Sequence, residues 1–315
     1  VASFGPVPLG PTVTFYGRGS GHGVGMSQYG ARGRALAGQD AAAILAHYYQ
    51  GTTLGALDPA TPVRVLLASG LASTVDRPVR VTGAGGPWTV DGIAGTMPAG
   101  ASVALTGGLG AWQLTVTAAD GTILASAPTS GDLRVRPADP ATLLAVSFKP
   151  ATRNVYRGVI RLISTTRIQA IDEVGLDDYL LGVVPVEMSY RWPAEALAAQ
   201  AVAARSYAVR RLHPATGRFD LYDDARAQVY WGVKAERPTV SAAIAATAGR
   251  VLMVGTSVAN TPYHSADGGA TEDNELVWTR PDGTVVNRPC PELRGSSDLA
   301  PDGAPYDAAS PSASW

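Results

Sequence analysis

Between Thr61 and about Thr166 apolar and polar residues alternate with a period of two in short runs. VRVLLAS, VRVTG, WTVDG, SVALTGG, AWQLTVTAADGTILASAP, LRVRP and VYRGVIRLI follow one another, with turn signals such as Asp120-Gly121 between them. That alternation predicts half-buried strands joined by hairpins, and so a mostly antiparallel β-domain. On either side the period lengthens. From Gln39 to Tyr49 the apolar Ala42, Ile44, Leu45 and Tyr48 recur at helical spacing, with Asp40 placed to cap the start and Gly51 to close the end. Trp192-Pro193 opens PAEALAAQAVAARSYAVRRL, a long predicted helix with no breaker before His213-Pro214. VSAAIAATAGRVLMV reads as a helix ended by Gly249 and followed by a strand. Between the strands and the long helix, IQAIDEVGLDDYLLGVVPVEM reads as a strand, a short helix and an apolar extended piece that delivers Glu187.

These elements predict an α+β fold in which a β-rich domain is inserted beside a helix-containing catalytic core, with a cleft between the two. The expected divisions are a Gly-rich segment over 1–60 that forms part of the core, a β-rich accessory domain over 61–150, the core over 151–290 and an irregular tail over 291–315. Glycine (36) and proline (23) are frequent enough to imply many turns. A chain of 315 residues that is 46% hydrophobic and 16% charged is a globular protein, long enough for about two domains.

Charge and cysteine content narrow the function. The net charge is −1 and no Lys/Arg cluster stands out, so neither nucleic acid nor an anionic membrane surface is an expected partner. The only lysines are Lys149 and Lys234, which reads as compositional bias and not as a binding device. A single cysteine, Cys290, excludes an intrachain disulfide framework and a multi-cysteine zinc cage, and it is compatible with export. The start, VASFGPVPLG, lacks the positive n-region and apolar h-region of a signal peptide, which fits a mature form or a protein that never carried one. Thr239 to Tyr263, the longest weakly polar stretch, is interrupted by Arg250 and fails the ~20-residue criterion for a spanning helix.

Candidate chemistry begins at a glycine ladder, Gly17, Gly19, Gly21, Gly23 and Gly25. No register of it completes G-x-G-x-x-G, and no Walker lysine follows. H-E-x-x-H and G-x-S-x-G are absent, and His22, His47, His213 and His264 show no metal-ligand spacing, so neither metal nor cofactor is expected. The ladder offers backbone without side chains on one face. That suits either a sugar-binding cleft near His22 and Ser27-Gln28-Tyr29 or tight packing against another element. Tyr48 and Tyr49 read as core and rim aromatics. Glu187, between Val183-Val184-Pro185-Val186 and Met188, Tyr190 and Trp192, has an apolar and aromatic setting. Desolvation there raises a carboxyl pKa and keeps a proton ready for donation, while the positive end of a helix beginning near Pro193 would oppose the rise. Gln200 and Arg205 lie roughly 140° apart on the long helix, so both flank one cleft only if it crosses that helix. Arg205 has a competing role as an ion-pair partner of Asp177 or Asp178. Tyr263, His264, Ser265, Asp267, Gly268 and Gly269 complete the polar groups, and a Ser265/His264 dyad is disfavoured because adjacent residues of an extended loop point opposite ways.

At these residues a resemblance becomes specific. GHGVGMSQYGARGRALAGQDAAAILAHYYQGTTL, DDYLLGVVPVEMSYRWPAEALAAQAVAARSYAV and TPYHSADGGATEDNELVW resemble the three signature blocks of the SpoIID/LytB family, and APYDAASPSASW resembles its PYD…SP…W tail. The blocks cover about a third of the chain. The resemblance implies action on bacterial peptidoglycan, either as a lytic transglycosylase of the sporulation kind or as a modifier of amidase autolysins. It places the catalytic acid at Glu187 and expects His22, Ser27, Gln28, Tyr29, Gln200, Arg205, Tyr207, Tyr263, Ser265, Gly268 and Gly269 to line the substrate cleft. Three departures stand out: the G-H-G block comes first and not last, as in actinobacterial relatives; Ala227 in DDARAQVYWG replaces a frequent cysteine, so a cysteine-based zinc site cannot form; and His264 stands where a small or aromatic residue is commoner.

The resulting expectation is a lytic transglycosylase with glycan strands as partner, no second acid near Glu187 and an extracytoplasmic place of action. The alternative is a non-catalytic wall-binding module that recruits or stimulates a cell-wall amidase. A general β-rich carbohydrate-binding protein with an incidental glutamate is the weakest of the three readings.

Overall fold

A computed structural model describes residues 12, 14, 17–213, 216–280, 282–286 and 288–312. The VASFGPVPLG start, Pro214 and Trp315, all used above, lie outside the described residues.

The alternating stretch forms antiparallel sheet as predicted, but it divides between two sheets. In one, the strands run in the order Val155–Tyr156, Leu143–Val146, Val79–Ala84, Ser102–Gly108, Ala111–Thr117 and Ile123–Thr129. The other runs Leu221–Tyr222, Pro62–Leu71, Ile168–Gly175, Val159–Ser164, Gly131–Pro137 and Trp88–Val90. All its pairings are antiparallel except the parallel one between Leu221–Tyr222 and Pro62–Leu71. Strict alternation along Val79–Ala84 buries Val79 and Val81, while Leu133, Val135, Ile160 and Leu162 do the same in the second sheet, and all of them join one hydrophobic core. Pro62–Leu71 pairs with Ile168–Gly175 over most of its length. Segments 61–150 and 151–290 therefore share a sheet, and no break falls at residue 150.

The helices are α1 (Gln28–Leu36), α2 (Ala41–Tyr48), α3 (Leu176–Glu187), α4 (Ala194–Val209), α5 (Pro238–Ala246) and α6 (Asn274–Val277). Asp40 caps α2 as expected, its Oδ1 accepting from Ala43 N at 2.7 Å. The organising element is α4. Its alanines present little bulk, so α1, α2, α3, α5 and the strand Arg250–Val254 pack around it and bury it on nearly all sides. Arg250–Val254 in turn pairs antiparallel with Thr53–Ala56 and Ser257–Val258.

One short pairing decides where the site forms. Met26–Ser27 runs parallel to Tyr263–His264, with Met26 opposite Tyr263 and Ser27 opposite His264, and a further bridge joins Ser20 to Ala266. The glycine ladder is thereby laid along the late loop, on the side of α4 where α3 ends.

Candidate active site

Glu187 does not arrive on an extended piece: it is the last residue of α3, with Pro185 inside the final turn. Proline removes only its own N–H, and this close to the helix end the loss is small. Val183 and Val184 are fully buried, and the Met188 N–H closes the turn on Val184 O at 3.0 Å. The carboxyl thus sits at the negative end of the α3 dipole, which disfavours its charge. None of the hydrogen bonds to it comes from the start of α4.

Around it lies a cavity of 310 Å³ lined by His22, Glu187, Tyr207, Ala225, Ala227, Val229, Pro262 and Tyr263. Glu187 is the only acid among these lining residues. Val229 N donates to Oε1 at 3.4 Å and Gln28 Nε2 to Oε2 at 3.5 Å. Burial pushes the Glu187 carboxyl above the ordinary glutamate value, against the Val229, Gln28 and Tyr263 hydrogen bonds that favour its charge. Burial lowers the pKa of His22, against a hydrogen bond to the Tyr263 backbone. His22 Nδ1 accepts from Val24 N at 3.1 Å, and its ring lies 5.3 Å from that of His264 and 5.4 Å from that of Trp278. A neutral imidazole and a carboxyl biased toward its acid form therefore share the pocket.

The pocket belongs to the N-terminal segment and the helical core. No residue of 61–150 lines it, so the expected cleft between β-rich domain and core is not where Glu187 lies.

The structure brings four of the predicted residues to this cavity wall or its carboxyl: His22, Tyr207, Tyr263 and Gln28. Others take different places. Ser27 is buried and caps α1, accepting from Gly30 N at 3.1 Å, and Tyr29 packs edge-on against Trp192 at 4.7 Å. Arg205 is fully buried, its Nε donating to Asp177 at 2.7 Å and its Nη1 to Arg250 O at 3.0 Å; the ion-pair role replaces the cleft role. Gln200 is also fully buried and does not reach the cavity, and its amide atoms have no hydrogen-bond partner among the described residues. The Ser265 carbonyl accepts from Tyr29 N at 2.9 Å.

Most of the ladder is packed, not open. A Cβ at Gly19, Gly21 or Gly25 would run into Ala266, His264 or Pro262, while at Gly23 it would meet open space. These glycines let the chain lie directly on the late loop. Gly268 belongs to the same contact, lying against Arg18 and Gly19 and donating to Asp307 Oδ2 at 2.7 Å; Gly269 donates to Asp267 Oδ1 at 2.9 Å. Tyr48 and Tyr49 are both core residues, donating to Asp298 and to Pro262 O, each at 2.8 Å.

The tail is irregular, as expected, yet it is not merely surface. Asp298 and Asp307 are fully buried. Asp298 Oδ1 accepts from Arg34 Nε at 2.7 Å. Burial pushes its carboxyl up, but His47, Arg34 and Tyr48 together hold it below the ordinary aspartate value. Burial, reinforced by the Asp298 charge, pushes Asp267 up to about 8.

Two residues near the site escaped the sequence reading. Gln228, in the Q-V-Y-x-G stretch already quoted, receives the Tyr179 hydroxyl on Oε1 at 3.3 Å and donates from Nε2 to Tyr263 Oη at 2.9 Å and Ala204 O at 3.3 Å. Arg211 lies over the Tyr207 ring, 3.3 Å from its centroid. The motif was a usable signal for Gln228. Nothing in the sequence distinguishes Arg211 from its neighbours.

Parts of the chain are similar to known proteins. The family model described as Stage II sporulation protein, SpoIID, matches residues 164–254, a span that holds α3 with Glu187, α4 and α5. Stage II sporulation protein D of Bacillus subtilis (strain 168) is 31% identical over 155 residues, 43% of this chain and 45% of that protein. The Amidase enhancer of the same organism is 39% identical over 100 residues, 32% of this chain and 13% of the relative. An uncharacterized protein of Brachyspira hyodysenteriae is 36% identical over 110 residues, 34% of this chain and 30% of the relative. The chain spans less than half the length of these relatives. No solved structure matches it. The family match spans the helix that carries Glu187, and with relatives named Stage II sporulation protein D and Amidase enhancer it makes this part of the chain similar to the SpoIID/LytB family.

Proposed function

We propose that the protein is a lytic transglycosylase acting on the MurNAc-β-1,4-GlcNAc bonds of bacterial peptidoglycan, with Glu187 as its general acid and base. The observation that carries this reading is a solitary half-buried carboxyl, raised toward its acid form, in a cavity whose lining holds no second acid. Glycoside hydrolysis ordinarily uses two carboxylates, one as acid and one as base or nucleophile. Intramolecular transfer needs one. Protonated Glu187 gives its proton to the glycosidic oxygen as the bond to C1 of MurNAc breaks. The sugar's own 6-hydroxyl then attacks C1 and returns its proton to the Glu187 carboxylate, leaving a 1,6-anhydro end and a new free hydroxyl on the departing strand. Gln28, Val229 and Tyr263 stabilise the carboxylate between the two transfers.

The names of the relatives support a role at the cell wall, and therefore outside the cytoplasm. No helix among the described residues is long and apolar enough to cross a membrane. A second reading, a wall-bound module that stimulates an amidase, draws on the relative named Amidase enhancer.

Mass spectrometry of products from isolated peptidoglycan, intact and amidase-stripped, separates the readings. Anhydro-MurNAc ends that vanish in Glu187→Gln support the transglycosylase. Reducing ends would mean hydrolysis and a second acid. Absence of cleavage with retained binding to the wall would favour the module.

A further inference from the structure

A second cavity, of 500 Å³, opens beside segments that also build the first. Pro185 and Val186 line it where Glu187 lines the first, and Trp231 lines it where Val229 lines the first. Val229 and Trp231 are separated by at most about 7 Å of chain, so the two cavities are neighbours.

Its most distinctive wall is an exposed aromatic on a rigid mount. Trp231 is 38% exposed. Its backbone N–H donates to Gly182 O at 3.1 Å, Tyr230 before it is fully buried with its hydroxyl on Asp172 at 2.9 Å, and Gly232 after it takes φ +61° against Tyr156. An exposed indole on a backbone fixed in this way offers a flat apolar face to a ligand, such as the C–H face of a pyranose ring.

Beside it stand two cations, Lys234 and Arg237. Arg237 Nη1 is pinned by the carbonyls of Lys234, Ala235 and Glu236 at 3.3, 3.1 and 2.7 Å. The nearby acid, Glu236, is taken up by Arg157 at 2.7 Å. Neither Lys234 nor Arg237 has a carboxylate partner among the described residues. An exposed indole flanked by two cations without a carboxylate partner matches a sugar that carries its own carboxylate.

We propose that Trp231, Lys234 and Arg237 form a subsite for a carboxylate-bearing pyranose of the strand that passes Glu187. The indole stacks on the ring, and the ammonium and guanidinium receive the acid. This rests on the glycan-strand reading above but not on the chemistry at Glu187.

The test is calorimetric binding in the Glu187→Gln chain, which removes turnover. The probes are a MurNAc-GlcNAc tetrasaccharide with free lactyl carboxylates and the neutral N-acetylglucosamine tetramer. Trp231→Ala is expected to weaken both by about tenfold, and Lys234→Glu to weaken the acidic probe by about tenfold while leaving the neutral one unchanged. An acidic probe that binds Lys234→Glu as well as the parent overturns the subsite, as does a Trp231→Ala chain that binds both probes undiminished. Binding of neither probe by the parent overturns the glycan-strand reading itself. Discriminating binding by a wild-type chain that forms no anhydro ends overturns only the cleavage reaction and leaves the subsite standing.

Discussion

Replacing Tyr263 by Phe takes one hydroxyl from the Glu187 cavity and leaves the ring in place. That hydroxyl already accepts the Gln228 amide proton at 2.9 Å, and Gln228 is itself oriented by the Tyr179 hydroxyl on its carbonyl oxygen at 3.3 Å. The phenolic proton of Tyr263 is therefore left for the carboxylate of Glu187, where it favours the charged form. Hydrogen bonds to charged groups contribute about 1.5–3 kcal/mol. The Gln28 and Val229 bonds, at 3.5 and 3.4 Å, remain in the variant. With these to soften the loss, the lower end applies: about 1.5 kcal/mol, or about one pH unit. Tyr263→Phe should raise the Glu187 pKa by that amount above its already elevated value. Carbon-13 NMR titration of labelled glutamate, assigned against Glu187→Gln, reads the change without requiring activity. The alkaline limb of any cleavage profile should move up with it, because the acid stays protonated to higher pH. A Glu187 pKa that stays put or falls in Tyr263→Phe would refute the network, since the phenolic proton would then point elsewhere.

Two further outcomes follow from buried charge. Because burial raises the folded-state pKa of Glu187 above its unfolded value, this group's contribution to stability is greatest below the ordinary glutamate value and declines as pH rises through the folded one. Glu187→Gln lacks that decline, so calorimetry should show it melting above wild type at pH 8 and converging with it near pH 4, and a variant that melts lower at pH 8 contradicts the desolvation argument. Asp298→Ala leaves Arg34 buried without its carboxylate, a loss of about 3–5 kcal/mol, which for a chain of this length lowers Tm by about 5–8 °C. An unchanged melt would show that the pair is solvated and does not fasten the tail.

The parts of the fold legible in the sequence were those whose signal is local. Alternation marked the strands, Asp40 marked the start of α2, and Gly249 separated α5 from the strand after it. Glu187 was legible as a candidate for the same reason, since its apolar surroundings lie next to it in the chain. Its backbone was misread as extended because a fully buried helix and a fully buried strand both present continuous apolar runs. Packing decided the matter, by burying Val183 and Val184 together in the core.

What was not legible depends on pairings between distant segments. A glycine ladder announces that something approaches its backbone closely but not what. Only the register of Met26–Ser27 on Tyr263–His264 shows that the visitor is the chain's own late loop at Gly19, Gly21 and Gly25. That same register carries His22 and Tyr263 to the cavity wall and sets Gln28, one residue beyond Ser27, against the carboxyl of Glu187. Arg205 illustrates the converse: its position on α4 fits a cleft wall equally well until Asp177 and the Arg250 carbonyl claim its guanidinium. The glycines thus contribute to the site indirectly. They let two segments from opposite ends of the chain lie close enough for a neutral imidazole, a phenol and a solitary carboxyl to share one small cavity, and a side chain at Gly21 or Gly25 would part them without altering any of the three groups.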